Sequence, residues 1–224
     1  MATTPSHSKG LEMQMEARRS VNACFLPSSC LGYDIFAPGL MPSLPPDCGI
    51  QLSGGCWHEE SHVSIVLAQF RKRGIPMLCN NYFPPPKKEL TFNLASSNDK
   101  TASRSLILVE KALILCASHG IPYYSCHPGF LCDQKKNQDA SLPPQSSERL
   151  PYAKALKLFL ERLADLQQIG ARTGIRVALE NMFEPPLAFT EGRRNALNCS
   201  FEELEEIMAE VPPSLGILIN LAHL

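Results

Sequence analysis

A chain of 224 residues carrying 21 Lys and Arg against 22 Asp and Glu has a formal net charge of -1, which gives no global electrostatic support to a nucleic-acid or membrane-surface partner. The length suffices for one large α/β domain, and the longest apolar runs fall well short of a membrane span, so a soluble protein is expected. The nine cysteines form no CxxC pair and no zinc-finger spacing; several, including Cys79, Cys116 and Cys126, lie in apolar runs where a reduced thiol acts as a small hydrophobe, which fits the cytoplasm.

Residues 1–20 are polar and charged, with no apolar core of a secretory signal, and read as a disordered N-terminal segment; residues 21–224 read as one domain. Val21 to Leu26 is a first candidate strand, and Pro27 to Asp47 is irregular. Gly49 to Ser53 is the next strand, closed by Gly54-Gly55. From Glu59 to Arg73, Val63, Val66, Leu67 and Phe70 recur at helical spacing, with Gly74 as the stop. Ile75 to Cys79 is a strand that runs into Asn80-Asn81-Tyr82-Phe83 and three prolines. Thr101 to His119 is a helix ended by Gly120, and Ile121 to Cys126 is a strand followed by His127-Pro128-Gly129. After a polar loop from Phe130 to Arg149, an amphipathic helix spans Pro151 to Thr173, with Leu156, Phe159, Leu163, Leu166 and Ile169 in register. Ile175 to Leu179 is a β-branched strand, Ser200 and Glu203 form a capping box for a helix from Phe201 to Val211, and Leu215 to Ile219 is the last strand. The nineteen prolines cluster between these elements and act as punctuation.

Apolar strands separated by helices imply a parallel sheet covered on both faces, and the lack of a dinucleotide glycine fingerprint favours an α/β barrel over a doubly wound sheet. Such barrels build their sites from side chains at the carboxyl ends of several strands. Here those positions hold Asn80, His127, Glu180, Asn220 and His223. A lone carboxylate after an apolar strand costs several kcal/mol to bury without a partner, so Glu180 is the strongest functional candidate. Carboxylate, imidazole and amide groups converging on one spot could hold a divalent cation, and a nearby carboxylate could then take a proton acidified by a metal-held hydroxy-carbonyl group. His58, His62 and His119 read as surface or helix-end residues. Lys135, Lys136, Arg193 and Arg194 read as solvated charge without a role.

Four motifs in order, Asn80-Asn81-Tyr82 leading to Asn93-Leu94-Ala95-Ser96, His127-Pro128-Gly129, Leu179-Glu180-Asn181, and Leu215 through His223, resemble the xylose isomerase-like barrel superfamily, which includes sugar isomerases, sugar epimerases and endonuclease IV. The resemblance implies a (β/α) TIM barrel and a sugar or sugar-phosphate isomerase/epimerase working by metal-assisted proton transfer next to a carbonyl. Carried over by position, Glu180 is the catalytic residue and a metal ligand, His127 is a second ligand, and His223, Asn80, Asn81 and Asn181 bind substrate. The implied cofactor is Mn, Mg or Zn. Asn220 stands where the family usually has a metal-binding aspartate and Asn80 where it usually has histidine, so weak metal affinity and little or no isomerase activity of this chain alone are expected. The chain stops at Leu224 after its sixth strand, so about six of eight β/α units are expected, with the C-terminal units missing: a truncated product, a fragment, or a form completed by self-association. Two other functions stay open: an endonuclease IV-like zinc phosphodiesterase on abasic DNA, and an inactive barrel fragment or binding module.

Overall fold

The computed structural model describes residues 24–27, 32, 43, 45, 48–88, 90–133, 149–184 and 194–223. Six strands form one sheet in sequential order, each parallel to its neighbour. They are β1 (Cys24–Pro27), β2 (Cys48–Leu52), β3 (Met77–Asn80), β4 (Tyr123–Cys126), β5 (Arg176–Glu180) and β6 (Gly216–Leu218). Helices α1 (Glu60–Lys72), α2 (Asp99–His119), α3 (Tyr152–Thr173) and α4 (Phe201–Glu210) form the four crossovers from β2 to β6. This is a partial TIM barrel, as the strand pattern implied. The N-terminal segment 1–20, Lys135, Lys136 and Arg193 lie outside the described residues. Among the described residues, no helix is long and apolar enough to cross a membrane.

Three strands start one or two residues later than their apolar runs suggest, for a shared reason. At the ends of α1, α2 and α3, Gly74, Gly120 and Gly174 adopt left-handed backbone with φ of 70, 67 and 73°. The next residue then turns its N–H back to the helix: Ile75 to the Phe70 carbonyl, Ile121 to Cys116 and Ile175 to Gly170, at 2.9 to 3.1 Å. Each isoleucine therefore closes a helix end instead of opening a strand, and its side chain plugs the junction. Two strands also run one residue further than the apolar pattern, which brings Asn80 and Glu180 into the sheet itself.

Helix starts differ in a similar way. α2 begins at Asp99 rather than Thr101, because the Asn98 carboxamide oxygen accepts from Lys100 N at 3.0 Å and Thr101 N at 3.3 Å. At α4 the Ser200 hydroxyl accepts from Glu203 N at 3.3 Å, but the Glu203 carboxylate takes Cys199 N at 2.9 Å, so the reciprocal half of the capping box sits one residue earlier than expected.

The strand register separates two faces. Cys79, Tyr124 and Val177 share one row and Cys126 and Leu179 the next, and all are buried with Phe70, Leu113, Phe159 and Leu163 of the helices. That layer is the hydrophobic core. The opposite face carries Asn80, Ser125, Ala178 and Gly216 in one row, with Glu180 and Leu218 beyond it. Three small residues below the Glu180 row leave space on the barrel side.

Candidate active site

Glu180 ends β5 with 1% of its surface exposed, and four side chains from three other strand ends meet at its carboxylate. The Asn80 Nδ2 amide donates to Oε2 at 2.8 Å, and the Asn220 Nδ2 amide donates to Oε1 at 2.8 Å. His127 Nε2 lies 3.6 Å from Oε2 and His223 Nδ1 lies 3.7 Å from Oε1. A carboxylate has only lone pairs to offer, so both asparagines must face it with their N–H ends. Burial alone would raise the Glu180 pKa. The neighbouring His127, together with the Asn220 and Asn80 amides, outweighs burial and holds the carboxyl below its ordinary value.

The two imidazoles differ in their support. His223 Nδ1 donates to the Asn181 carbonyl at 2.7 Å, which leaves Nε2 as the ring's acceptor, 3.4 Å from the Asn220 amide. His127 stands between the Tyr82 ring, 6.5 Å away between centroids, and the His223 ring at 6.2 Å. Burial pushes the Tyr82 phenol up to about 12, so it stays protonated. His127 Nδ1 and both polar atoms of the Asn81 side chain are buried without a hydrogen-bond partner. Unmet polar capacity next to a buried carboxylate is what a ligand site retains.

All seven residues assigned from sequence fall at this end of the sheet, with different tasks. Asn80, His127, Asn220 and His223 face Glu180 directly. Asn181 turns its amide onto the Asn220 backbone, accepting from Asn220 N at 2.6 Å and donating to its carbonyl at 3.2 Å, which fixes the chain beyond β6. Asn80 Oδ1 accepts from Asn81 N at 2.6 Å, so one side chain both shapes its own turn and holds Glu180.

Sequence reasoning passed over several residues that hold these loops. Glu184 is buried, and its carboxylate accepts from Asn195 N at 2.8 Å, Ala196 N at 2.9 Å and Asn195 Nδ2 at 3.0 Å. Asn198 has a positive φ of 62° and donates from Nδ2 to the Glu180 carbonyl at 2.9 Å. Asn93 accepts from Ala95 N and Phe130 N and donates to Phe130 O and Asp133 Oδ1, while the Ser96 hydroxyl donates to Asp133 Oδ2 at 2.7 Å. The Asn93-Leu94-Ala95-Ser96 motif is thus a brace between the loops after β3 and β4. Gly129 belongs to the brace: its φ is 124°, and a Cβ there would meet Asn93 Oδ1 at 2.5 Å. The available signal was the pair of acids after apolar stretches, Asp133 and Glu184, near asparagines. Arg194, read as solvated, forms an ion pair with Glu203 and stacks 4.6 Å from the Tyr152 ring centre.

A divalent cation needs several lone pairs aimed at one point. Here each Glu180 oxygen already accepts an amide hydrogen, and among the described residues no group of three or more His, Cys, Asp or Glu side chains is arranged for a metal. The donor set of the described residues therefore does not fit a manganese, magnesium or zinc ion, and the departure comes from Asn80 and Asn220.

A family model of xylose isomerase-like TIM barrels matches residues 57–224. The chain belongs to that family. Solved structures of sugar epimerases and of an epimerase-like protein share its fold. A D-tagatose 3-epimerase-like protein superposes with a TM-score of 0.60 at 16% identity, over 90% of this chain and 66% of its own. A D-psicose 3-epimerase solved in the presence of D-fructose gives 0.63 at 11% identity, over 88% and 63%. A 3-keto-D-glucoside 4-epimerase from E. coli gives 0.54 at 16% identity, over 78% and 59%. The chain thus spans less than two thirds of the length of these three structures. No curated protein sequence matches it.

Proposed function

We propose that the chain carries the sugar pocket of an isomerase or epimerase, with Glu180 taking the proton from the carbon next to the sugar carbonyl. The observation behind this reading is the buried Glu180 carboxylate at a strand end, faced by His127, His223 and two amides. The fold is shared with enzymes that epimerise ketoses, which supports a ketose as substrate.

The chemistry follows from the geometry. A pKa below the ordinary carboxylate value keeps Glu180 in its proton-accepting form at neutral pH. When the C–H bond breaks, its electron pair moves into an enediolate and negative charge develops on the former carbonyl oxygen. An N–H from His127 is the donor placed to stabilise that charge, while His223 Nε2, fixed as an acceptor, can take a hydrogen bond from a substrate hydroxyl. Return of the proton from Glu180 to the former carbonyl carbon, with the hydroxyl proton of the adjacent carbon passing to the enediolate oxygen, completes an isomerisation; epimerisation needs an acid on the opposite face of the sugar.

The test is proton exchange. D-tagatose and D-fructose incubated with the protein in heavy water should lose the NMR signal of the hydrogen next to the carbonyl, and Glu180→Gln should stop that loss. No exchange with the wild type, or undiminished exchange in Glu180→Gln, sinks the proposal. Sugar binding by calorimetry without exchange would instead identify a binding-only barrel.

A further inference from the structure

Away from the Glu180 site, the loops after β2 and β3 and the outer faces of α1 and α2 enclose a groove of about 540 Å³. Its walls include Trp57, Ile107 and Ile114, all exposed, the two isoleucines by 51% and 56%. Isoleucines on the outer face of a helix gain nothing from water, and two of them beside an exposed tryptophan make a patch that calls for a cover. Its charges are Lys87, Lys88, Arg104 and Lys111 against Glu59 and Glu60, four positive to two negative. Lys87 Nζ lies 4.4 Å from the Trp57 ring centre, so cation and aromatic surface are presented together.

The complementary surface is on the same chain. α4 holds Glu202, Glu203, Glu205, Glu206 and Glu210 and no basic residue in its ten positions. Glu203 is engaged with Arg194 and Cys199 N, and Glu206 accepts from the Tyr152 hydroxyl at 3.2 Å; Glu202, Glu205, Glu206 and Glu210 are all exposed, beside Phe201, which is 69% exposed. Glu210 also lies at the negative end of the helix dipole with no cation in the last turn, a local cost that an external positive charge would relieve. An apolar anchor flanked by carboxylates matches an apolar wall flanked by ammonium groups. The two surfaces cannot meet within one molecule: α4 lies between β5 and β6, and the groove lies beside β2 and β3, three strands away around the sheet.

We infer that α4 of one copy of this chain docks in the Trp57 groove of another, with Phe201 against the apolar wall and Glu205 and Glu206 facing Lys87 and Lys111. Because donor and acceptor surfaces differ, the contact is head-to-tail unless two such contacts close around a two-fold axis.

Sedimentation of the full chain at low and high salt tests this, read together with the emission of Trp57, the only tryptophan in the sequence. Association at low salt should weaken by about tenfold or more in high salt, where exposed charges are screened, and the Trp57 emission should shift on dilution along with the mass. K87E/K111E and E205K/E206K should each be monomeric, and their equimolar mixture should associate again. All four positions are exposed, so far-UV circular dichroism should match the wild type; Lys87→Ala/Lys111→Ala serves as a milder pair if a charge-reversed protein misfolds. A wild type that stays monomeric overturns the inference. So does association that leaves Trp57 emission unchanged, that survives either reversal, or that fails to return on mixing.

Discussion

Glu180 and Glu184 lie four residues apart and are both buried, yet they are satisfied in opposite ways. Glu184 is enclosed by two backbone N–H groups and one side-chain amide from a single short stretch, Asn195-Ala196. Glu180 is met only by side chains, from β3, the loop after β4 and the turn after β6. A carboxylate closed by local backbone has its hydrogen-bonding demand met by the fold and serves to fix a loop. One closed by side chains from distant strand ends can exchange those partners for a ligand. Position in the sequence does not tell the two apart, because both follow an apolar residue near an asparagine.

The largest expected effect separates their functions. Glu180→Gln should reduce carbon-proton exchange by roughly 10²–10⁴-fold while changing the urea unfolding free energy by only about 1 kcal/mol. Glu184→Ala should do the reverse: it strands three buried N–H donors and should cost about 3 kcal/mol of stability, with exchange per folded molecule little changed. Equal loss of activity in the two variants would erase the distinction.

Gly129→Ala probes the brace that both loops depend on. Its left-handed backbone and the 2.5 Å approach to Asn93 Oδ1 leave no room for a methyl group, so destabilisation of about 2 kcal/mol is expected in denaturant titrations. A variant as stable as the wild type would show that the Asn93–Asp133 network is not under constraint.

The smallest effect is in pH. The folded pKa of Glu180 lies below its unfolded value, so its stabilisation is present above the ordinary carboxylate pKa, about 4.3, and is lost as pH falls through the folded value. The stability gap between wild type and Glu180→Gln should therefore narrow on acidification. Asn220→Asp should reverse the trend. A second carboxylate at Oε1 raises the pKa of the pair, so the variant should lose stability relative to wild type as pH rises, and should bind manganese more tightly in calorimetry. Unchanged metal binding would show that the amide at Asn220 is not what keeps a cation away.

Much of the fold was legible in the sequence because the relevant forces are local or periodic. Helical spacing of Val63, Val66, Leu67 and Phe70 placed α1, and Gly74, Gly120 and Gly174 placed the ends of α1, α2 and α3. The later strand starts were not legible, since whether Ile75, Ile121 or Ile175 opens a strand or closes a helix depends on a hydrogen bond to a residue five positions back. The site was legible as a set of polar residues at strand ends, and the structure brings four of them onto Glu180. Its supporting residues were not, because Asp133, Glu184 and Asn198 act through contacts that no spacing encodes.

What the chain determined by itself is the alternation of apolar strands and amphipathic helices, and with it a parallel sheet whose strand ends gather polar side chains. What only the tertiary structure decided is how those side chains are used. Asn80 and Asn220 are 140 positions apart, yet they meet the two oxygens of one carboxylate and turn their N–H ends to it. That pairing depends on the register of four parallel strands. It leaves Glu180 a buried carboxylate held by two amides, an arrangement set by hydrogen-bond direction that residue identity alone does not carry.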